Sequence, residues 1–139
     1  MKAKKILKGI ALALIFSTGL LTSCSKENAT NKVLDRMAME GNRLCPMDVD
    51  NMTRWDSITH PASLTLAYYH TVAATKADLD WMQLDWNQVK GMLISNLKSN
   101  PRTASLLDLN IKFRYFYFDS EGQEVYRTEI LPVDYKINE

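Results

Sequence analysis

Two cysteines, Cys24 and Cys45, and two histidines, His60 and His70, are the residues of this 139-residue chain best suited to covalent or acid–base chemistry. A thiolate beside an imidazole is an activated nucleophile, so Cys45 with His60 or His70 is the candidate pair for a small thiol or hydrolytic enzyme. Nothing local supports it. The two histidines are ten residues apart with Asp56 four before His60, a spacing that forms no zinc site. His70 falls on the apolar phase of a strand and reads as a satisfied core or rim histidine. Asp48-Val49-Asp50-Asn51 begins like a calcium loop, but Met52 falls at the fifth position, Thr53 where glycine is required, and Thr59 in place of the closing glutamate. A loop rich in Asp and Asn ahead of a strand is ordinary turn chemistry. No G-x-S-x-G, P-loop or dinucleotide fingerprint occurs, and five glycines leave little material for a phosphate-cradling loop. No catalytic, metal-binding or cofactor-binding residue is therefore assigned, and the expectation is a protein that is not an enzyme.

Cys24 belongs to a different pattern. Lys2, Lys4, Lys5 and Lys8 precede an uncharged run from Gly9 to Leu20 dominated by Ala, Leu and Ile, the layout of a secretory signal peptide. As a helix this run covers about 18 Å, short of the ~30 Å hydrocarbon core of a bilayer. The run ends Leu21-Thr22-Ser23-Cys24: an apolar residue, two small residues and a cysteine. This stretch resembles the lipobox of bacterial lipoproteins. The resemblance implies that the Cys24 sulfur takes a diacylglycerol, that the chain is cut before Cys24, and that the new amino terminus is acylated, with palmitate-type chains. Several acyl chains exceed what stable anchoring needs. In enterobacterial members of that class an Asp after the cysteine retains the protein in the inner membrane. This chain has Ser25, so the outer membrane is the expected destination.

Removing residues 1–23 takes four of the 17 basic residues and none of the 16 acidic ones, which leaves a net charge of minus three. With no basic patch, nucleic acid is not an expected partner. The remaining length suits one domain, 32–139, behind a lipidated cysteine and polar tether at 24–31. With Cys24 lipidated, Cys45 is the only thiol left, so no disulfide inside the chain holds this fold. Free cysteine is a small hydrophobe that cores absorb readily, and Cys45 is read as buried.

The elements that must position these residues follow from periodicity. From Lys32 apolar residues recur at helical spacing until Gly41-Asn42 stops them. After a loop at CPMDVDN, TRWDSIT reads as a strand, His60-Pro61 as a turn, and SLTLAYYHTV as a strand returning in a hairpin. Thr75 and Asp78 match a capping box for one long helix ending at Asn100-Pro101, with Gly91 marking a bend or a close approach to the sheet. Residues 102–108 read as a turn. LNIKFRYFYF and VYRTEIL form a second hairpin around DSEG. The fold expected is α+β: two helices packed on a mainly antiparallel sheet of about four strands, in the order helix, hairpin, helix, hairpin.

GNRLCPMDVDNMTRWDSI and the Tyr-rich strand after it are similar to small domains of bacterial exported proteins, a likeness that transfers no functional residue. Trp81, off the helical apolar stripe, and Phe116 and Phe118, on the second face of their strand, are the aromatics that would mark an interface if exposed together. The reading is a lipid-anchored envelope module that binds or scaffolds a protein partner. The alternatives are an inhibitor or immunity-type lipoprotein of the periplasm and the Cys45 enzyme.

Overall fold

Leu34 and Ala38 lie one helical turn apart and both are buried, as an apolar stripe against a sheet requires. The structure, a computed structural model, describes residues 18–136, with side chains from Cys24 onward. The lysine-rich start and most of the apolar run of the expected signal peptide lie outside the described residues. Helix α1 spans Thr18–Asn42 and stops where Gly41-Asn42 predicts. It starts well before Lys32, so the stretch from Cys24 to Asn31, expected as an irregular tether, is helical. The physical reason lies in contacts its polar composition does not announce. Thr30 is buried and donates to the Lys26 carbonyl at 3.0 Å. Asn31 donates to Ser63 Oγ and accepts from the Leu64 N–H, both at 2.9 Å.

The sheet has five strands, β1 (Met47–Asp48), β2 (Thr53–Ala62), β3 (Thr65–Val72), β4 (Lys112–Phe118) and β5 (Glu124–Ile130), in the order β1-β2-β3-β4-β5. Both expected hairpins are present as antiparallel pairs. The centre is a parallel pair, β3 with β4, in the register Leu66↔Phe113, Tyr68↔Tyr115, His70↔Tyr117. The fifth strand, β1, comes from the Met47–Asp48 stretch expected as loop. His60-Pro61 is not the turn: it lies inside β2 at a register shift between Thr59 and Ala62, and the chain reverses at Ser63-Leu64, with Leu64 at φ 52. Proline is tolerated there because β1 pairs only with Arg54 and Trp55, so the outer edge of β2 at residue 61 needs no N–H.

The connection from β3 to β4 carries three helices rather than one. Thr75 forms the expected capping box with Asp78 and opens α2 (Lys76–Trp81). The chain then turns through Gln83 at φ 52, and Asp85 caps α3 (Trp86–Ser99) by accepting from the Asn87 and Gln88 N–H groups. A second capping residue breaks what periodicity alone joins. Gly91 makes no close approach to the sheet, since a Cβ there would meet nothing within 4 Å. Asn100 caps α4 (Pro101–Leu107), with proline at its first turn, so 101–107 is helix and not turn. Pro132 ends β5 and opens α5 (Pro132–Lys136).

The helices pack on one face of the sheet. α1 lies over β2, where Asn42 clamps Ile58 by donating to its carbonyl at 2.8 Å and accepting from its N–H at 2.9 Å. Gly41 lets the backbone come close: a Cβ would sit 2.7 Å from Ile58 Cγ2. Asn31 and Asn42 are eleven residues apart, three turns, and so tie both ends of this helix face to the sheet. At the far side, Trp86 at the start of α3 stacks on Tyr126 of β5 at 4.4 Å. Tyr135 of α5 meets Phe113 edge-on at 6.3 Å.

Candidate functional site

α1 rests over β2 and α3 reaches β5, so the helix layer leaves the two central strands uncovered between them. The result is a groove of about 1120 Å³ running along the sheet. Tyr68 and His70 of β3 and Tyr115 and Tyr117 of β4 form its floor, with Trp55 beside them. Alternation in a strand puts every second residue on one face, and the register of β3 with β4 aligns the two sets. Tyr68 stacks on Tyr115 at 5.1 Å and His70 on Tyr117 at 4.7 Å.

The walls are mostly apolar, with Glu40, Arg43, Asp50 and Arg102 among them, and the rim is rich in methionine. Met37, Met47, Met52, Met82 and Met92 all line the groove. Met92 is 64 % exposed, and Leu44, Met47, Met52, Met82 and Leu84 are exposed as well. Exposed apolar groups gathered around one concavity mark a binding surface. Methionine, unbranched and polarizable, suits a surface that adapts to its occupant.

The floor is aromatic yet carries polar atoms. Burial pushes the phenol of Tyr68 up to about 12 and that of Tyr117 up to about 12, with Tyr126 and Asp50 adding to the rise. Tyr115 is raised as well, by burial first and then by Tyr68 and Tyr117. All three stay protonated. Burial lowers His70 to about 4, opposed by Asp56 and by a hydrogen bond to the Phe116 backbone, so the imidazole is neutral at physiological pH. His70 is on the buried phase of β3 as expected. It is not fully satisfied, because its Nδ1 is buried without a hydrogen-bond partner.

The remaining candidates are dispersed. Cys45 is a half-buried free thiol whose pKa is raised by burial and by Asp56, the opposite of activation. Among the described residues no hydrogen bond joins it to either histidine, and His60 is engaged elsewhere, with Nδ1 2.7 Å from Asp35 of α1. Asp50 spends Oδ1 on the N–H groups of Met52 and Thr53, at 2.8 and 2.7 Å, the turn chemistry its loop suggests. Among the described residues no group of three or more His, Cys, Asp or Glu is arranged to hold a metal ion. Cys24 lies on an exposed part of α1. Trp81 is 85 % exposed. Phe116 and Phe118 fall on the opposite face of the sheet from the groove, half-buried. No pattern in the sequence singles out the floor tyrosines; the signal that could mark them is two Tyr-rich strands in register, visible only once β3 and β4 pair in parallel.

Residues 28–126 match the family described as Domain of unknown function (DUF8479). No curated protein matches the chain. Three solved structures share the fold. The pilotin of the type II secretion system of Vibrio vulnificus is 12 % identical with a TM-score of 0.66, covering 81 % of this chain and 96 % of its own. The pilotin of the Vibrio cholerae type II system is 15 % identical with a TM-score of 0.65, covering 81 % and 97 %. A protein of Pseudomonas aeruginosa described as secreted is 19 % identical with a TM-score of 0.64, covering 76 % and 91 %.

Proposed function

The chain belongs to the DUF8479 family, and from that premise we propose that it is a non-catalytic, lipid-anchored envelope protein that holds a helical segment of a protein partner in its groove. The observation that carries this reading is the methionine-rimmed groove between α1 and α3. Its volume exceeds the ~300–1,000 Å³ of small-molecule pockets, and an apolar trough flanked by helices is the receptor half of helix-in-groove recognition. The shared fold with two pilotins of type II secretion systems supports a component of an envelope assembly as the partner.

Lipidation at Cys24 would hold the domain close to its bilayer. α1 enters the sheet at the Ser63-Leu64 turn, and Cys24 lies seven residues before Asn31, about 10 Å along the helix. Met52 and Met82 of the groove lining lie toward the other end of β3, about 26 Å of strand away. In this reading the anchor at Cys24 and this part of the groove lining lie toward opposite ends of the sheet, which would leave the lining open to a partner on the side away from the membrane. Ser25, by the lipoprotein resemblance, favours the outer membrane.

A photo-crosslinking amino acid placed at Met92 in the groove, and in a second strain at Phe116 on the opposite face, tests this in intact cells. The expected result is one discrete protein adduct from position 92 and none from 116, with mass spectrometry finding a diacylglyceryl group on Cys24. Adducts from 116 alone would move the function to the other face, and an unmodified Cys24 would remove the anchor.

A further inference from the structure

The described residues include six methionines, Met37, Met39, Met47, Met52, Met82 and Met92, and all but Met39 line the groove. They reach it from separate places in the chain: Met37 from α1, Met47 from β1, Met52 from the turn before β2, Met82 from the end of α2 and Met92 from α3. Met47, Met52, Met82 and Met92 are between 38 % and 64 % exposed. The core is the reverse. Among the described residues no buried side chain is a methionine, and only Met37 packs against the core, partly buried.

Oxidation turns methionine from a flexible apolar side chain into a polar, chiral sulfoxide, and dedicated reductases return the thioether. Leucine at the same positions would make an apolar rim with no such response. Because the thioethers sit on the groove and not in the core, oxidation changes the surface while the packing that holds the fold is untouched. Cys45 does not compete for the oxidant: burial and Asp56 raise its pKa, which holds back the thiolate that reacts.

We propose that Met47, Met52, Met82 and Met92 form a modification site, oxidised to sulfoxides by peroxide, and that their oxidation closes the groove to its partner without unfolding the domain. This rests on the groove being the partner site. With hydrogen peroxide, a sulfur lone pair forms the S–O bond, the O–O bond breaks, and the hydroxyl proton passes to the departing oxygen, which leaves as water. Sulfur loses two electrons and the peroxide gains them. Each sulfoxide oxygen is then a hydrogen-bond acceptor on a surface that docking must dry, and an acceptor buried without a donor opposes binding.

A photo-crosslinking amino acid at Leu84, an exposed residue of the groove lining, reports occupancy without replacing a methionine. Cell envelopes carrying the full chain are treated with hydrogen peroxide and irradiated, with peptide mass spectrometry on the same sample. The four rim methionines should each gain one oxygen, the Leu84 adduct should fall roughly tenfold, and methionine sulfoxide reductases should restore it. Circular dichroism of the oxidised chain in lipid nanodiscs should match the untreated one. In Met47→Leu/Met52→Leu/Met82→Leu/Met92→Leu the adduct should form with or without peroxide, whereas Met39→Leu, 54 % exposed but off the groove, should stay as sensitive as wild type. Should the quadruple variant not fold, the four single Met→Leu variants carry the comparison, each keeping part of the adduct. An adduct unchanged on an oxidised rim, a loss that persists once the rim is leucine, a rim left reduced while Met39 is oxidised, or unfolding on oxidation would overturn the inference and leave the groove reading standing. No adduct from Leu84 in any untreated sample would overturn both.

Discussion

On the face of the sheet turned away from the helices, Tyr69 stacks on Phe116 at 5.0 Å and Arg127 lies over the same ring at 5.3 Å. Arg114 pairs with Glu129 at 2.7 Å, and Asp56 takes both Arg54 and the Thr71 hydroxyl. Thr59, on the same face, keeps a buried hydroxyl without a partner, but the Tyr69 and Phe116 rings are covered by each other and by a guanidinium. On the groove face the same strands present three phenols that line the concavity and the His70 Nδ1, buried without a partner among the described residues. Both faces are aromatic, so aromatic content does not separate them. Coverage does: on the outer face Tyr69 and Phe116 cover each other under a guanidinium, whereas the groove rings line an open concavity rimmed by exposed methionines.

Phe113 and Phe116 belong to the same strand and opposite faces, which makes them the sharpest test of that contrast. Phe113 is fully buried, and Phe113→Ala should cost about 3–5 kcal/mol. Phe116 is half-buried and held by one stacked ring and one cation, so Phe116→Ala should cost about 1–2 kcal/mol. Urea denaturation of both variants gives the comparison directly. Equal losses would mean that the outer face is a second core, and the distinction between the faces would fail.

The next effect is a pH dependence specific to the groove face. His70 titrates at about 4 in the fold against 6.5 when exposed, because burial opposes its charge. Between those values the unfolded chain holds the extra proton, so stability rises with pH across the window. It is complete above about 6.5 and lost as pH falls toward 4. The full difference approaches ~3 kcal/mol. Chemical denaturation at pH 4.5 and pH 7 should show most of it in the wild type and a much smaller change in His70→Phe. An unchanged slope in the variant would show that the imidazole is solvated.

Much of this architecture is legible in the sequence, and what is not has a common cause. Alternation in SLTLAYYHTV and FRYFYF places His70 and the tyrosines correctly, because period two is enforced by the pleat. The Thr75-Asp78 box places the start of α2, because that cap is local. The break at Met82–Asp85 is hidden, because apolar spacing continues across it and only the geometry of Asp85 reveals a second cap. Pro61 is misread as a turn because its tolerance depends on how short β1 is, a fact about a neighbour. The groove is hidden for the same reason. Tyr68 and Tyr115 are 47 positions apart in the chain, and nothing in either strand states that the pairing is parallel or that the helix layer stops short of it.

The smallest predicted effect separates the two kinds of tyrosine without any ligand. Tyr135 and Tyr115 are about equally buried, at 4 % and 6 % exposed, so their rings contribute similarly and the hydroxyl is the difference. Tyr135→Phe removes the donor to the Ile111 carbonyl at 2.9 Å and leaves that carbonyl unpaired beside a fully buried residue, a loss of about 1–2 kcal/mol. Tyr115→Phe removes a hydroxyl that bonds to nothing among the described residues, so it should change stability by less than about 0.5 kcal/mol. Thermal denaturation of the two variants against wild type reads the difference. If Tyr115→Phe costs as much as Tyr135→Phe, the groove hydroxyl is already satisfied in the free protein. The floor would then be closed chemistry like the outer face, with no polar group waiting for a partner.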